Sequence, residues 1–440
     1  MRWLIGLGLF ASLNLQAQER KLSIEEALKL ARENNKELKI ERLESKSARE
    51  ETILSKASML PTISANGSYS HYFNKQVIFM PGAFTGNEGE PVVDVAVGGK
   101  NAFNTYVSLH QPIISEASRR QVKASRINES MQDLDAKEHS LNLIVNVTAT
   151  YYQTLLVKES IVLNKQSLVR NLRSLEDSRM LLLQGKSLKV DTLRNFIVVE
   201  NLNTTISYLE NQRDVLLLQL KQLIGIDKDE VLLLTDSLKH DTEVRYFSAV
   251  ESASTEAIQN RPDIQLKKLN VEMNRNVLSQ SKAQRLPTLS LLGMYQIQAQ
   301  ADNKSLDSYR WPRTSFIGLQ ANIPIFTGNR INSKIRQSDM QLQASQLRLE
   351  DATEKAKTEL ATLQNNLKEI LQRLSAQERT VQAAQMNFKI LDDRYKNGLS
   401  SRLELSDAEL ALTEAKMNQL QLTFNLKIAK LQLDKALGIL

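Results

Sequence analysis

The sequence contains no cysteine, which excludes disulfide bonds, zinc–thiolate sites and thiol catalysis. For the same reason, a processed N-terminus could not carry a thioether-linked lipid. Glycine and proline are scarce, with 15 and 8 residues among 440, and aromatic residues make up only 5% of the chain. This composition favours long helices over a compact mixed core.

Beyond its N-terminus the sequence lacks long hydrophobic runs. No segment in that part of the chain approaches the roughly twenty consecutive apolar residues of a membrane-spanning helix. The N-terminus itself has Arg2, an apolar run from Trp3 to Leu13, and Ala17 at a cleavage position. This pattern predicts a secretory signal peptide over residues 1–17, and an N-terminal membrane anchor or a buried helix is the alternative. If the mature chain crosses a membrane, it must do so with β-strands.

Charge of one sign is not concentrated anywhere, although the formal net charge is +7. Basic and acidic residues alternate along the helical stretches, which indicates solvated faces rather than a nucleic-acid-binding surface. The chain shows no phosphate loop, paired-carboxylate cleft or nucleophile elbow. The four histidines lack metal-ligand spacing: His71, His110, His139 and His240. We therefore predict neither enzymatic activity nor a cofactor or metal site.

An internal repeat organises the chain. Leu60-Pro61-Thr62 in the first half recurs as Leu286-Pro287-Thr288 in the second. Further matches in the same order pair Gly185 with Gly398, Ser187 with Ser400, Asp191 with Glu404, and Gly225 with Gly438. The repeat predicts a duplicated unit of helix, β-hairpin, very long helix, tight turn and helix.

The long helices are predicted from sustained apolar heptads. Leu403, Leu410, Met417, Phe424 and Leu431 are spaced by seven without a break, and a similar stripe that includes Val162 and Val169 runs along residues 116–183. Heptads over this length indicate coiled coil. A helix of nearly 70 residues is about 100 Å long, which suits a structure that bridges a gap. Ser23 and Glu26 predict a capping box that opens an earlier helix running to about Ser58.

Proline marks where helix gives way to strand in each repeat. Pro61 and Pro287 end helices, and the residues that follow alternate between polar and apolar. Strands of about ten residues with this period are what a transmembrane β-barrel requires, while soluble hairpins packed on the helices are the alternative. The returning strands are expected to close at Pro112 and Pro324, with exposed loops over about Phe73–Asn101 and Gln300–Arg313.

Four strands cannot close a barrel, and an open sheet edge is not tolerated in lipid. The chain is therefore expected to oligomerise. Three copies would supply about twelve strands, within the range of outer-membrane barrels. Two copies would give about eight strands, whose interior side chains would fill the lumen.

These patterns predict the following organisation. The signal peptide covers residues 1–17. The first repeat covers 18–226, with a β-hairpin at 61–112 and coiled-coil helices at 116–183 and 188–224. A connection covers 227–260. The second repeat covers 261–440, with a β-hairpin at 287–325 and coiled-coil helices at 329–396 and 401–437.

Several motifs resemble the TolC-like outer-membrane efflux protein family. They are Tyr395-Lys-Asn-Gly398-Leu399 with Leu403-Glu404-Leu405, the final Ala436-Leu437-Gly438, and the two Leu-Pro-Thr motifs. The resemblance spans nearly the whole mature chain. It implies a mainly α fold with β-hairpins, assembled as a homotrimer with a twelve-stranded outer-membrane barrel and a periplasmic coiled-coil α-barrel. Residues 227–260 would lie in the equatorial region of that tunnel.

The resemblance also implies a function. The chain would be a passive exit duct that docks a periplasmic adaptor (membrane fusion) protein and an inner-membrane pump. Drug or metal efflux and type I protein secretion both remain open as its task. A non-transporting coiled-coil surface protein is the alternative from another class, although it would not explain the duplicated hairpins.

Candidate site residues cluster at the two tight turns. Gly185-Lys186 and Gly398-Leu399 are expected to form the adaptor-docking tips, because exposed turns carry function on rigid scaffolds. By resemblance, Glu404 and Asp407 would form an acidic ring at the channel mouth. Glu404 also fits a capping box with Ser401, so a helix cap is its alternative role.

The resemblance also implies a gate at this mouth. Asp191 would bond Tyr395 on the neighbouring hairpin. Ser400 stands where the best-known family member has an arginine, so we predict a looser gate than one closed by a salt bridge.

Overall fold

The computed structural model describes residues 20–86, 89–238, 255–303, 305, 307 and 309–440. The predicted signal peptide at 1–17 lies outside these residues. The chain forms two compact units, and each draws on both predicted repeats. The helical unit comprises Met1–Glu44, Gln132–Lys267 and Arg348–Leu440, and the strand unit comprises Ser45–Met131 and Lys268–Leu347.

Long helices dominate the fold. The helices are α1 Ile24–Asn34, α2 Lys36–Ala57, α3 Glu116–Leu183, α4 Lys189–Ile224, α5 Thr255–Asn260, α6 Pro262–Ala283, α7 Arg330–Lys396 and α8 Arg402–Leu437. Helices α3 and α7 contain 68 and 67 residues, so each extends for about 100 Å. In the part of the chain that is described, no helix combines the length and apolar character needed to span a membrane.

The prediction of one helix from Ser23 to about Ser58 is wrong at a single point. Ser23 caps α1 as expected, but the helix breaks at Asn35, which separates α1 from α2. The Asn35 side chain accepts a hydrogen bond from the Leu38 amide at 3.0 Å and donates one to the Leu223 carbonyl at 2.9 Å. Asn35 thus caps the second helix and ties it to the end of α4.

A parallel pair of short strands lies at the core of the helical unit. Strand β1 (Arg20–Leu22) pairs with β6 (Leu232–Leu234). Beside them the fully buried Tyr151 donates its hydroxyl to the Leu22 carbonyl (2.9 Å) and to Asp236 Oδ2 (2.7 Å). Burial, followed by the contact with Asp236, raises the pKa of Tyr151. The connection between the repeats is therefore anchored in the core at its start.

The strand unit contains a four-stranded antiparallel sheet in the order β2-β5-β7-β8. Its strands are β2 Thr62–His71, β5 Asn101–Ile114, β7 Thr288–Ala301 and β8 Arg313–Asn322. Strands β2 and β8 form the two edges, and within the described residues neither has a further neighbour.

The register gives the sheet two different faces, because directly opposed residues point to the same side. One face is mainly apolar and carries Ile63, Tyr69, Val107, Leu109, Leu291, Tyr295, Ile317 and Leu319. The other is mainly polar and carries Ser64, Asn66, Ser68, Asn104, Ser108, Gln296, Gln298 and Gln320. The predicted alternation is thus confirmed over most of the sheet, although Leu292, Met294 and Phe316 lie together on the polar face.

Two details of the strand unit differ from the sequence prediction. The segment expected to be a loop over Phe73–Asn101 contains a further antiparallel hairpin, β3 (Gln76–Met80) with β4 (Val93–Val97). Strand β5 also continues past Pro112 to Ile114, with a register shift at this point. A proline is tolerated there because a bulge interrupts the hydrogen-bond ladder that its missing N–H would otherwise weaken.

Candidate functional site

Two turns of the same geometry join the long helices into hairpins. Gly185, between α3 and α4, and Gly398, between α7 and α8, both adopt the left-handed conformation, with φ of 70° and 71°. Each turn has the same pair of backbone hydrogen bonds. They run from Gly185 to Leu182 and Lys186 to Leu181 (both 2.9 Å), and from Gly398 to Tyr395 (3.0 Å) and Leu399 to Arg394 (2.8 Å). Glycine permits this Schellman-type ending without steric cost.

The turns are open on their outer sides. A Cβ atom added at either glycine would meet no heavy atom within 4 Å. Leu399 is 67% exposed, although leucine is usually buried. Beside it, Lys396 donates a hydrogen bond to Asp392 (2.6 Å), which raises the pKa of Lys396. The predicted tips are therefore accessible surfaces with both apolar and charged groups.

Glu404 acts as a helix cap in the described chain. Its amide donates to Ser401 Oγ at 3.2 Å, and its own Oε2 accepts from the Ser401 amide at 2.8 Å. This reciprocal capping box satisfies two amides at the start of α8. Glu404 and Asp407 are both exposed and lie one turn apart on the same side of the helix. The cap is confirmed, and a carboxylate ring formed by several copies stays a prediction.

The predicted gate residues are engaged locally. Asp191 Oδ2 accepts from Ser187 Oγ at 3.4 Å, and Ser400 Oγ donates to the Leu391 carbonyl at 3.3 Å. Within the described residues no hydrogen bond joins Asp191 to Tyr395. A bond between them in the assembled mouth therefore stays a prediction.

Arg402 lies next to the predicted gate and was missed by sequence reasoning. Its guanidinium carbon lies 5.6 Å from the ring centroid of Tyr395, within cation–π range. Its Nε and Nη2 atoms are buried and have no hydrogen-bond partner among the described residues. The contact joins residues on opposite sides of the Gly398 turn, so helical spacing gave no signal for it.

A buried carboxylate network was also missed. Glu409 on α8 is only 4% exposed. Its Oε1 atom accepts from Arg170 Nε at 2.8 Å, Asn171 Nδ2 at 3.0 Å and Ser167 Oγ at 3.4 Å. The Arg170 guanidinium also lies 5.9 Å from the centroid of the Phe388 ring on α7. One charged pair therefore links α3, α7 and α8.

Ser167 and Asn171 belong to a buried polar row on α3, called here the polar seam. Its members are buried and follow heptad spacing: Ser160, Asn164, Ser167, Asn171, Ser174 and Ser178. In contrast, Val162 and Val169 of the predicted apolar stripe are 43% and 50% exposed. Toward the tip the predicted apolar stripe is therefore exposed, whereas Ile127 and Leu155 of the same stripe are buried. In the sequence, serine and asparagine at heptad spacing were the feature that could have indicated the buried face of α3 near the tip.

A cleft of about 690 Å³ opens beside the network between α3, α4 and α8. Its lining includes Asn164, Tyr208, Glu409, Leu410, Glu414 and Met417. Across the described ranges, no group of histidine or carboxylate side chains is arranged to hold a metal ion. The side chains of this region interact by hydrogen bonding and ion pairing.

The chain combines two long helical hairpins that end in open glycine turns with a two-faced four-stranded sheet. A family model described as "outer membrane efflux protein" matches residues 27–226 and 253–439, so the chain belongs to this family. It is an outer-membrane channel of tripartite export systems with a large helical part in the periplasm. The family consists of channels, a non-enzymatic kind of protein.

Similar proteins cover nearly the same length. The proteases secretion protein PrtF of Dickeya chrysanthemi is 22% identical, over 91% of this chain and 86% of its own. The outer membrane protein TolC of Escherichia coli is 20% identical, over 99% of this chain and 86% of its own. The solved structure of the outer membrane protein VceC of Vibrio cholerae has the same fold. Its TM-score is 0.78 at 15% identity, over 94% of this chain and 96% of that one.

Proposed function

We propose that three copies of this chain assemble into a passive exit duct that receives substrate from an inner-membrane pump through a periplasmic adaptor. The two-faced sheet, whose two edge strands have no further neighbour among the described residues, carries this proposal. In lipid, the backbone groups of β2 and β8 need partners. Pairing β2 of one copy with β8 of the next satisfies both edges, and three copies give about twelve strands.

The sheet chemistry supports a lipid-facing outer wall. The apolar row faces hydrocarbon, and the polar row lines a water-filled interior. An aromatic cluster lies at the loop end of the apolar face. Tyr69 and Phe103 are 4.8 Å apart between ring centroids, and Trp311 lies 5.9 Å from Phe103 and 6.1 Å from Tyr309. Aromatic girdles of this kind mark the membrane–water boundary of barrels.

The tips are the proposed adaptor-docking surface. Gly185, Lys186, Gly398 and Leu399 form it, and the open space around both glycines supports close approach of a partner helix. A bulky β-branched side chain at Gly398 would strain the left-handed turn and obstruct that approach.

The mouth is the proposed control point. Three copies turn Glu404 and Asp407 into two rings of carboxylates, which favour cations at the narrowest point. Closure rests on Asp191 and Tyr395 meeting in the assembly. Ser400 bonds its own turn and contributes no charge. We therefore expect a resting gate that opens more readily than a salt-bridged one.

The cargo is set by the pump rather than by this chain. PrtF and AprF are named for protease secretion, and OpmQ of Pseudomonas aeruginosa for pyoverdine export. Type I protein secretion is therefore the second candidate task, favoured by two relatives. A purely structural coiled-coil protein would have no use for a sheet with an apolar outer face.

Conductance of the purified protein in planar bilayers tests the proposal. The wild-type chain should form cation-selective pores that a trivalent cation blocks, and native mass spectrometry should give three copies of a chain beginning near Gln18. Glu404→Gln with Asp407→Asn should abolish both selectivity and block, because the carboxylates supply the field. A stable monomer, or unchanged block in this variant, would contradict the proposal.

A further inference from the structure

The first half of α8, next to the mouth, has little apolar anchoring. Its buried apolar positions alternate leucine with alanine: Leu405, Ala408, Leu412 and Ala415. The second half buries more leucine: Leu422, Leu426, Leu431, Leu433 and Leu437. Apolar contact is non-directional and scales with buried area. Apolar contact therefore stabilises the first half of α8 less than the second half.

The surface of α3 that contacts Glu409 is polar. It is the polar seam, whose Ser167 and Asn171 donate to Glu409. Hydrogen bonds depend strongly on angle, so they fix the rotation of a helix more sharply than apolar contact does. Three donors converge on one oxygen of Glu409, and Arg170 is itself held against Phe388.

Helix geometry links this anchor to the mouth. Glu409 follows Asp407 by two residues, which is a rotation of about 200° around the helix axis. Holding Glu409 against α3 therefore turns Asp407, and Glu404 one turn before it, to the opposite and exposed side.

We infer that Arg170 and Glu409 are a positioning pair, which sets the rotation of the first turns of α8 and thereby aims Glu404 and Asp407 into the channel mouth. The inference rests on the proposed function, in which these two carboxylates line the mouth.

The internal repeat supports a role specific to the second hairpin. Aligning Gly185 with Gly398 places Phe196 of α4 opposite Glu409. Phe196 is 44% exposed and has no charge to pair. The charged anchor therefore has no counterpart at the aligned position of α4, where the neighbouring Asn195 instead donates to the Ser174 carbonyl at 3.3 Å.

The test removes the charges and keeps the packing. Arg170→Met with Glu409→Leu replaces the pair with apolar side chains of similar size, a change that folded proteins often tolerate. Glu409→Gln serves as a milder variant that keeps the side-chain shape. Lys165→Met is the matched control. It removes a charge from the same helix and breaks the exposed Lys165–Glu210 pair (2.6 Å), which joins α3 to α4 instead.

The absence of cysteine allows a direct structural readout. A single Asp407→Cys substitution can carry a spin label, and electron–electron distances between copies then report the direction of this position. We expect the double variant to shift or broaden the distance distribution and Glu409→Gln to do so partially. The control should match the wild type. An unchanged distribution in the double variant overturns the inference.

Conductance without the label gives the second readout. In the double variant, block by the trivalent cation should weaken about tenfold, the factor that corresponds to losing one charged hydrogen-bonded contact. Normal block, in a variant that still forms pores, also overturns the inference. If the wild-type pore shows no block at all, the proposed acidic mouth fails, and the label distances still decide whether Arg170 and Glu409 position α8.

Discussion

The two helical hairpins have the same turn but different seams. Gly185 and Gly398 have matching φ angles and matching hydrogen bonds. Toward the tip, the buried heptad row of α3 is serine and asparagine, whereas α7 buries Ala356, Leu360, Leu367 and Leu374 farther from its tip, at positions that align with the buried Leu143, Val147, Thr154 and Ile161 of α3. A turn needs only glycine and two backbone bonds, so both halves of the duplicated chain kept it. A buried row depends on the helix that packs against it, so its chemistry changes along the length of a hairpin.

The difference separates two ways of holding helices together. Burying a leucine stabilises contact by about 1.5–3 kcal/mol whatever its angle. A buried hydrogen bond contributes only about 1 kcal/mol net and requires alignment. Buried apolar area is thus the main stabilising contribution in the α7–α8 hairpin. Hydrogen bonds are the main one where α3 contacts the first half of α8.

Shortening one buried side chain in each seam should give the largest difference in stability, with opposite outcomes for the two variants. Leu367 is 1% exposed, and Leu367→Ala should destabilise the protein by about 2–5 kcal/mol through lost contacts and a cavity. Ser174 Oγ is buried without a hydrogen-bond partner among the described residues, so Ser174→Ala should be neutral or stabilising. Thermal unfolding midpoints of the detergent-extracted protein measure both. Equal losses in the two variants would show that the seams are energetically alike.

Breaking the charged pair from either side should also give unequal results. Arg170→Met leaves Glu409 charged and buried with only two neutral donors, and removal of one partner from a buried pair costs about 3–5 kcal/mol. We expect the lower end of that range, because those donors remain. Glu409→Gln leaves Arg170, whose side chain is 33% exposed and reaches water, so its cost should be about 1 kcal/mol.

Chemical denaturation of the two single variants under identical detergent conditions measures this asymmetry. The free energy of unfolding of Lys165→Met should remain close to that of the wild type, because the ion pair of Lys165 is exposed. If Glu409→Gln lowers the free energy of unfolding more than Arg170→Met does, the unpaired arginine, not the unpaired carboxylate, is the more destabilising group.

Local signals account for the parts of the fold that sequence predicted well. The helices α3 and α7 end at glycine turns, and the sheet follows the alternation after Pro61 and Pro287. Each of these features depends on residues a few positions apart. The fold class and the family resemblance are confirmed by the matching family model and by the solved channels.

Distant partners account for what sequence reasoning missed. The break at Asn35 depends on a bond to Leu223, and the burial of Glu409 depends on Arg170, 239 positions away. Arg402 meets Tyr395 only because the Gly398 turn folds one helix back on the other. A charged residue in a helical stripe cannot be assigned to the inside until its partner is known.

The smallest expected contrast is at the helix starts that follow the two turns. Helix α8 begins with the Ser401–Glu404 capping box, whereas Leu188 at the start of α4 makes no side-chain cap bond. Ser401→Ala should cost about 1 kcal/mol, and Leu188→Ser should gain at most a similar amount, because a hydroxyl there can accept from the Asp191 amide.

Amide hydrogen exchange over the first turn of each helix is the measurement, since capping acts locally. Exchange should become faster in α8 for Ser401→Ala and slower in α4 for Leu188→Ser, with the other helix unchanged in each case as the internal control. If Leu188→Ser leaves exchange in α4 unaltered, the start of that helix is held by contacts other than its cap, and the two hairpins differ at their turns as well as along their seams.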